Sequence, residues 1–193
     1  NLLSGGIALS ITPLTMYFGG KDLAGILSLF TSISSISLLI PRALSLNQLP
    51  QIAKISNNPK ELKLISERMH LQITLSNLTT TIFCLIIAVI VSESQDQFSR
   101  LQIIAILSLT TLQGSAATQA LTYANILLAR ESSRKILKIN LFGFSIFTAG
   151  LSITPIIPIS HAIHYICALI AGVNIYRLHA TKRQAKKELE NTR

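Results

Sequence analysis

The sequence predicts an all-α, polytopic membrane protein with six transmembrane helices, and three observations predict it. Of its 193 residues, 49% are hydrophobic and only 13% charged, where a soluble domain carries about 25% charge. The mean hydropathy is +0.51. The apolar residues run without strict alternation in stretches of about the 20 residues that span a bilayer as a helix. Lipid offers the backbone no hydrogen-bond partners, so spans this long and non-alternating read as helices and not as barrel strands.

Six spans are expected, at about 3–19, 23–42, 70–92, 101–128, 137–157 and 159–178, forming a bundle over 1–178 with a basic tail over 179–193. Span one closes at YFGGKD, a tight turn with two glycines. Span two, LAGILSLFTSISSISLLIPR, ends at Pro41 and Arg42. The following PRALSLNQLPQIAK reads as an elbow outside the membrane. In SNNPKELKLISERMHL, Asn58 is placed to cap a helix with Pro59 first and Glu61 third. Leu62, Ile65, Met69 and Ile73 keep helical spacing, so this helix is expected to run straight into span three, about 50 Å from Pro59 to Ser92. SESQDQFSR is the loop before span four, and ARESSRK the loop after it. TPIIPIS is a tight turn whose prolines stop span five and start span six. The tail, TKRQAKKELENTR, reads as a polar, frayed helix.

The net charge of +9 invites a nucleic-acid reading, but its distribution argues against one. Fifteen of the 17 Lys and Arg residues fall in the loops after spans two and four and at the end of span six; only Lys21 and Arg100 fall on the other side. That asymmetry is the positive-inside pattern. It places both termini of this segment in the cytoplasm, with the lipid bilayer as a partner and no nucleic acid. Cys84 and Cys167 sit inside spans, with no metal-type Cys/His spacing, so neither a metal nor a cofactor is expected. The chain opens at Asn1 without a basic flank to its first span. It reads as starting inside a longer protein, not at a signal peptide.

Two spans carry polar stripes. His70, Thr74, Asn77, Thr81, Cys84 and Ala88 fall on one face of span three. Ser108, Thr111, Ser115, Thr118, Gln119, Thr122 and Asn125 lie on one side of span four, opposite Ala116, Ala120 and Ala124, whose small-xxx-small spacing suits close helix contact. The stripes fit either a hydrophilic lumen or hydrogen bonding between buried helices. No Asp or Glu lies deep in a span, where proton- or sodium-coupled carriers usually hold one. Arg42 fits either a cavity-mouth phosphate ligand or an anchor snorkelling to headgroups. His161 and His164, one turn apart, fit a pH-sensing or metal pair or plain interfacial histidines.

Three stretches together resemble the polysaccharide and O-antigen flippases of the multidrug/oligosaccharidyl-lipid/polysaccharide exporter superfamily: MYFGGKDLAGILSLFTSI, ALSLNQLPQIAKISNNPKELKLI and ANILLARESSRKILKINLFG. The resemblance implies one lobe, the carboxy-terminal half, of a two-lobe exporter of the bacterial inner membrane. Its partners would be a lipid-linked oligosaccharide and a second six-helix lobe. It implies translocation and no enzymatic step, with Arg42, Asn77, Ser115, Gln119 and Thr122 as substrate-facing candidates. A drug or cation antiporter of the same superfamily and a non-transporting scaffold subunit are the alternatives. A membrane enzyme is more distant, since only the His161/His164 pair offers it a site.

Overall fold

A computed structural model describes residues 2–55, 58–93 and 99–190. Among them the protein is entirely helical: α1 (Leu2–Lys54), α2 (Pro59–Glu93), α3 (Arg100–Ala129), α4 (Ser133–Leu151), a short 3-10 turn (Thr154–Ile156) and α5 (Ile159–Glu190). Among the described residues, three stretches are long and apolar enough to cross a membrane: Lys60–Ile87, Arg100–Ala129 and Ser133–Ile156. They correspond to expected spans three, four and five. Expected spans one and two fall within α1, and span six within α5.

α1 is two helices meeting at Gly20, where φ is 80° and ψ −179°. Only glycine adopts that conformation at low cost, so the expected turn at YFGGKD has a physical cause. Leu14 and Phe18 before the break and Leu27 after it pack into one cluster. The elbow is corrected. α1 remains helical through residues 41–54, and the chain turns only after Lys54, where Asn58 N–H donates to Ile55 O at 2.8 Å. Pro41 removes one N–H from the second helix of α1, residues 21–54, and does not end it.

α2 starts as expected. The Asn58 side chain accepts from Glu61 N–H at 3.4 Å, and Leu62, Met69 and Ile73 are buried. At 35 residues α2 is about 52 Å long. α3 opens on a capping box: Gln102 N–H donates to Ser99 Oγ at 3.3 Å, and Ser99 N–H to Gln102 Oε1 at 3.2 Å. It closes on a Schellman turn, with Ser132 N–H donating to Leu127 O at 2.8 Å and Glu131 N–H to Leu128 O at 3.0 Å. Glu131 takes the left-handed position of that turn, φ 54°. Between α4 and α5, Ile157 is extended before Pro158. His161 and Ala162 N–H then donate to Pro158 O, so the proline starts α5 as expected.

α3 is the central element; it packs against α1, α2, α4 and most extensively α5. Two apolar clusters hold the bundle. One joins Leu27, Ile106, Phe147, Ile163, Ile166, Cys167, Ile170 and Val173. The other joins Ile52, Leu62, Met69, Ile126, Leu127 and Ala185. The tail is the helix expected of it, and through Glu190 it is packed rather than frayed. α5 is helical through Glu190 because Thr181 and Ala185 are buried and Leu189 packs on the second cluster. Residues 191–193 lie outside the described residues. Beyond Arg68 the surface of α2 is largely apolar, with Leu71, Leu75, Leu78, Ile82, Phe83, Ile86, Val89 and Ile90 all at least half exposed. A water-facing helix would not carry that series, whereas hydrocarbon accommodates it, consistent with membrane association.

Candidate functional site

The residues expected to face a substrate divide in the structure. The Arg42 side chain lies outside the described residues. Asn77 of α2 meets Ser115 at the α2–α3 contact, while Gln119 and Thr122 lie further along α3. Asn77 is buried; its Nδ2 donates to Thr118 Oγ1 at 3.0 Å, and that hydroxyl donates to Ser115 O at 2.9 Å. The second Asn77 N–H points to Ser115 O at 3.4 Å. A side-chain amide thereby joins α2 to α3 through two residues 41 apart in sequence.

The alanine face of α3 packs as expected, with Ala116 and Ala120 buried. The opposite face is also largely enclosed. Thr118 is 3% exposed, Thr122 0% and Asn125 4%, while Gln119 and Ser115 are half-buried and Ser108 is exposed. Of the two meanings left open for the stripe, hydrogen bonding between helices describes Asn77 and Thr118. The Thr122 hydroxyl is enclosed without a hydrogen-bond partner. Thr111 and Ser108 bond back to the carbonyls of Leu107 and Ile104, the usual resort of hydroxyls on apolar helices.

The basic-loop end of the bundle holds a second polar group. His70 meets the Tyr123 ring at 5.8 Å between centroids, and Lys182 Nζ lies 5.9 Å from the same ring centre, within cation–π range. Beside it, Glu188 of α5 pairs with Lys135 of α4 and accepts from Ser132 Oγ at 3.2 Å, while Arg130 Nη2 donates to Glu188 O at 3.2 Å. The hydrogen bond from Lys135 holds the Glu188 carboxyl below its ordinary range, against a smaller opposing effect of burial.

A third group was not singled out in the sequence. Arg177 of α5 donates from Nε to Asn140 Oδ1 of α4 at 2.9 Å and from Nη1 to Asn174 Oδ1 at 3.1 Å. Asn174 is buried and anchored through Nδ2 to Ile170 O. The arginine stem lies across Gly143, where an added Cβ would stand 3.3 Å from Arg177 Cγ. The available signal was an asparagine and an arginine three residues apart on an apolar helix; the partner on α4, 37 residues away, could not be read.

Of the histidine pair, His161 is exposed, and His164 Nδ1 is enclosed without a partner. Among the described residues no group of three or more His, Cys, Asp or Glu could hold a metal ion, and both cysteines are buried and outside any disulfide. No family model, curated protein or solved structure matches this chain.

Proposed function

We propose that the chain is one six-span lobe of a flippase-type transporter that moves lipid-linked oligosaccharide across the bacterial inner membrane, with both termini of the segment cytoplasmic. The single observation carrying the membrane part is the 15-to-2 split of basic residues between alternate loops, which in short loops marks the cytoplasmic side. The three apolar helices and the exposed apolar surface of α2 support it. The substrate rests on the resemblance of the three quoted stretches alone. In this reading a second lobe faces this one across a cavity, and transport proceeds by the lobes rocking about it. Arg42 stands at the cavity mouth, where its planar fork suits a diphosphate.

The test is complementation. The full reading frame containing this chain, expressed in a flippase-deficient strain, is expected to restore surface glycan per unit of membrane-inserted protein. Arg42→Ala is expected to abolish it and Arg42→Lys to rescue it in part. Full export from Arg42→Ala removes the diphosphate role, and no export from the unaltered frame removes the transport reading.

A scaffold subunit is the second reading, favoured by the enclosure of Thr118, Thr122 and Asn125 among neighbouring helices. It is distinguished by membrane protein that accumulates normally, restores no glycan and co-purifies with another integral membrane protein.

A further inference from the structure

Arg177 carries a full positive charge, and its partners are neutral. Asn140 and Asn174 present amide oxygens at 2.9 and 3.1 Å, which orient the guanidinium but do not neutralise it. Ion pairs such as Lys63–Glu67, Lys135–Glu188 and Lys186–Glu190 form elsewhere, and among the described residues none involves Arg177. Nor does its Nη2 form a hydrogen bond there. A partly buried cation beside apolar helices is costly unless an anion meets it.

The position limits what that anion is. Asn140 lies seven residues into α4 from Ser133, about 10 Å along the helix axis. α4 belongs to a stretch long enough to cross a bilayer, so this depth is near the boundary between hydrocarbon and headgroups. The exposed Lys138 two residues earlier adds positive potential. Gly143 leaves room for the arginine stem to lie flat on α4. Asn174, itself fixed to Ile170 O, sets the plane of the fork. With Nε and one Nη1 hydrogen engaged, Nη2 and the second Nη1 hydrogen remain to donate to two oxygens of one phosphate.

The geometry points to a phosphate-binding site between α4 and α5, centred on Arg177 with Asn140 and Asn174 as its orienting residues. Its ligand is a phosphate group carried by a lipid of the leaflet on the basic-loop side or by a soluble phosphate compound. The site rests on the chain lying in a bilayer and is independent of transport.

The experiment is thermal unfolding of the whole chain in neutral detergent, titrated with phosphatidylglycerol or, separately, with pyrophosphate. Phosphatidylglycerol is expected to raise the wild-type midpoint by about 5 °C at a hundredfold excess over its dissociation constant. Arg177→Gln is expected to be at least as stable as wild type without the additive and to shift by less than about a fifth as much with it. Arg177→Lys is expected to respond in part. Asn140→Asp places a carboxylate beside the guanidinium, so it should abolish the response while keeping the fold, and it serves where Arg177→Gln fails to accumulate. A shift from pyrophosphate alone assigns the site to a soluble phosphate compound. Equal shifts in wild type and Arg177→Gln, a full shift in Asn140→Asp, or no shift in wild type with either additive overturns the site.

Discussion

Glu131 illustrates how much a single backbone angle can cost. It fills the left-handed position of the turn ending α3, a position that usually belongs to glycine because a Cβ there is strained by about 1–2 kcal/mol. The turn keeps both of its closing hydrogen bonds regardless. Glu131→Gly is expected to stabilise the protein by about 1 kcal/mol after glycine's own entropy cost, read as a raised unfolding midpoint in detergent; a lowered midpoint would show that the carboxylate contributes more than the strain takes away. Asn77 and Thr118 pose the opposite case, a buried pair whose side chains hydrogen-bond to each other. Asn77→Leu and Thr118→Val are each expected to destabilise by about 1 kcal/mol. Together they should cost less than their sum, with a coupling of about 0.6 kcal/mol, typical of hydrogen bonds between helices in membranes. A double-mutant cycle with zero coupling would mean that the contact contributes no energy of its own.

At the scale of elements, what could be read depended on how local the cause was. Asn58, Pro59 and Glu61 stand side by side, and the helix start they signal is where the structure has it. Ile157 and Pro158 likewise set the entry to α5 within a few residues. Pro41 misled because one lost hydrogen bond is a small part of so long a helix. The packing at the end of α5 was hidden for a different reason. Thr181, Ala185 and Leu189 recur every four residues, but the cluster that Ala185 and Leu189 join includes Leu62, Ile126 and Leu127, far away in sequence. The same clip of Glu188 to Lys135 that holds α5 carries a pH dependence. Its carboxyl is depressed in the folded state, so the pair stabilises above the unfolded carboxylate range, about pH 4.3. That contribution is lost as pH falls through the lower folded value. Unfolding midpoints measured from pH 7 down to pH 3 should fall more steeply for wild type than for Glu188→Gln; parallel curves would assign the acid response to other groups.

For the whole molecule, orientation is open to direct measurement. Ser133 and Ser152 flank α4, and both are exposed. Single cysteines there should behave oppositely in intact cells treated with a membrane-impermeant thiol reagent: protected at Ser133, labelled at Ser152. The reverse pattern would invert the topology, and labelling at both would deny that α4 crosses. The stripe on α3 was legible as a stripe, but whether it faced a lumen or a neighbour depended on Asn77, a residue of another helix. The division of the apolar core into two clusters has its own consequence. Along α3, Thr118 and Thr122 stand between Ile106 and Ile126; along α5, Asn174, Arg177 and Thr181 stand between Val173 and Ala185. Apolar cohesion is therefore concentrated at two levels of the same helices, and segments of unequal cohesion open separately. Backbone amides around Leu107 and around Leu127 should thus exchange with deuterium as two populations with different opening free energies, so that one rod-like helix belongs to two cooperative units.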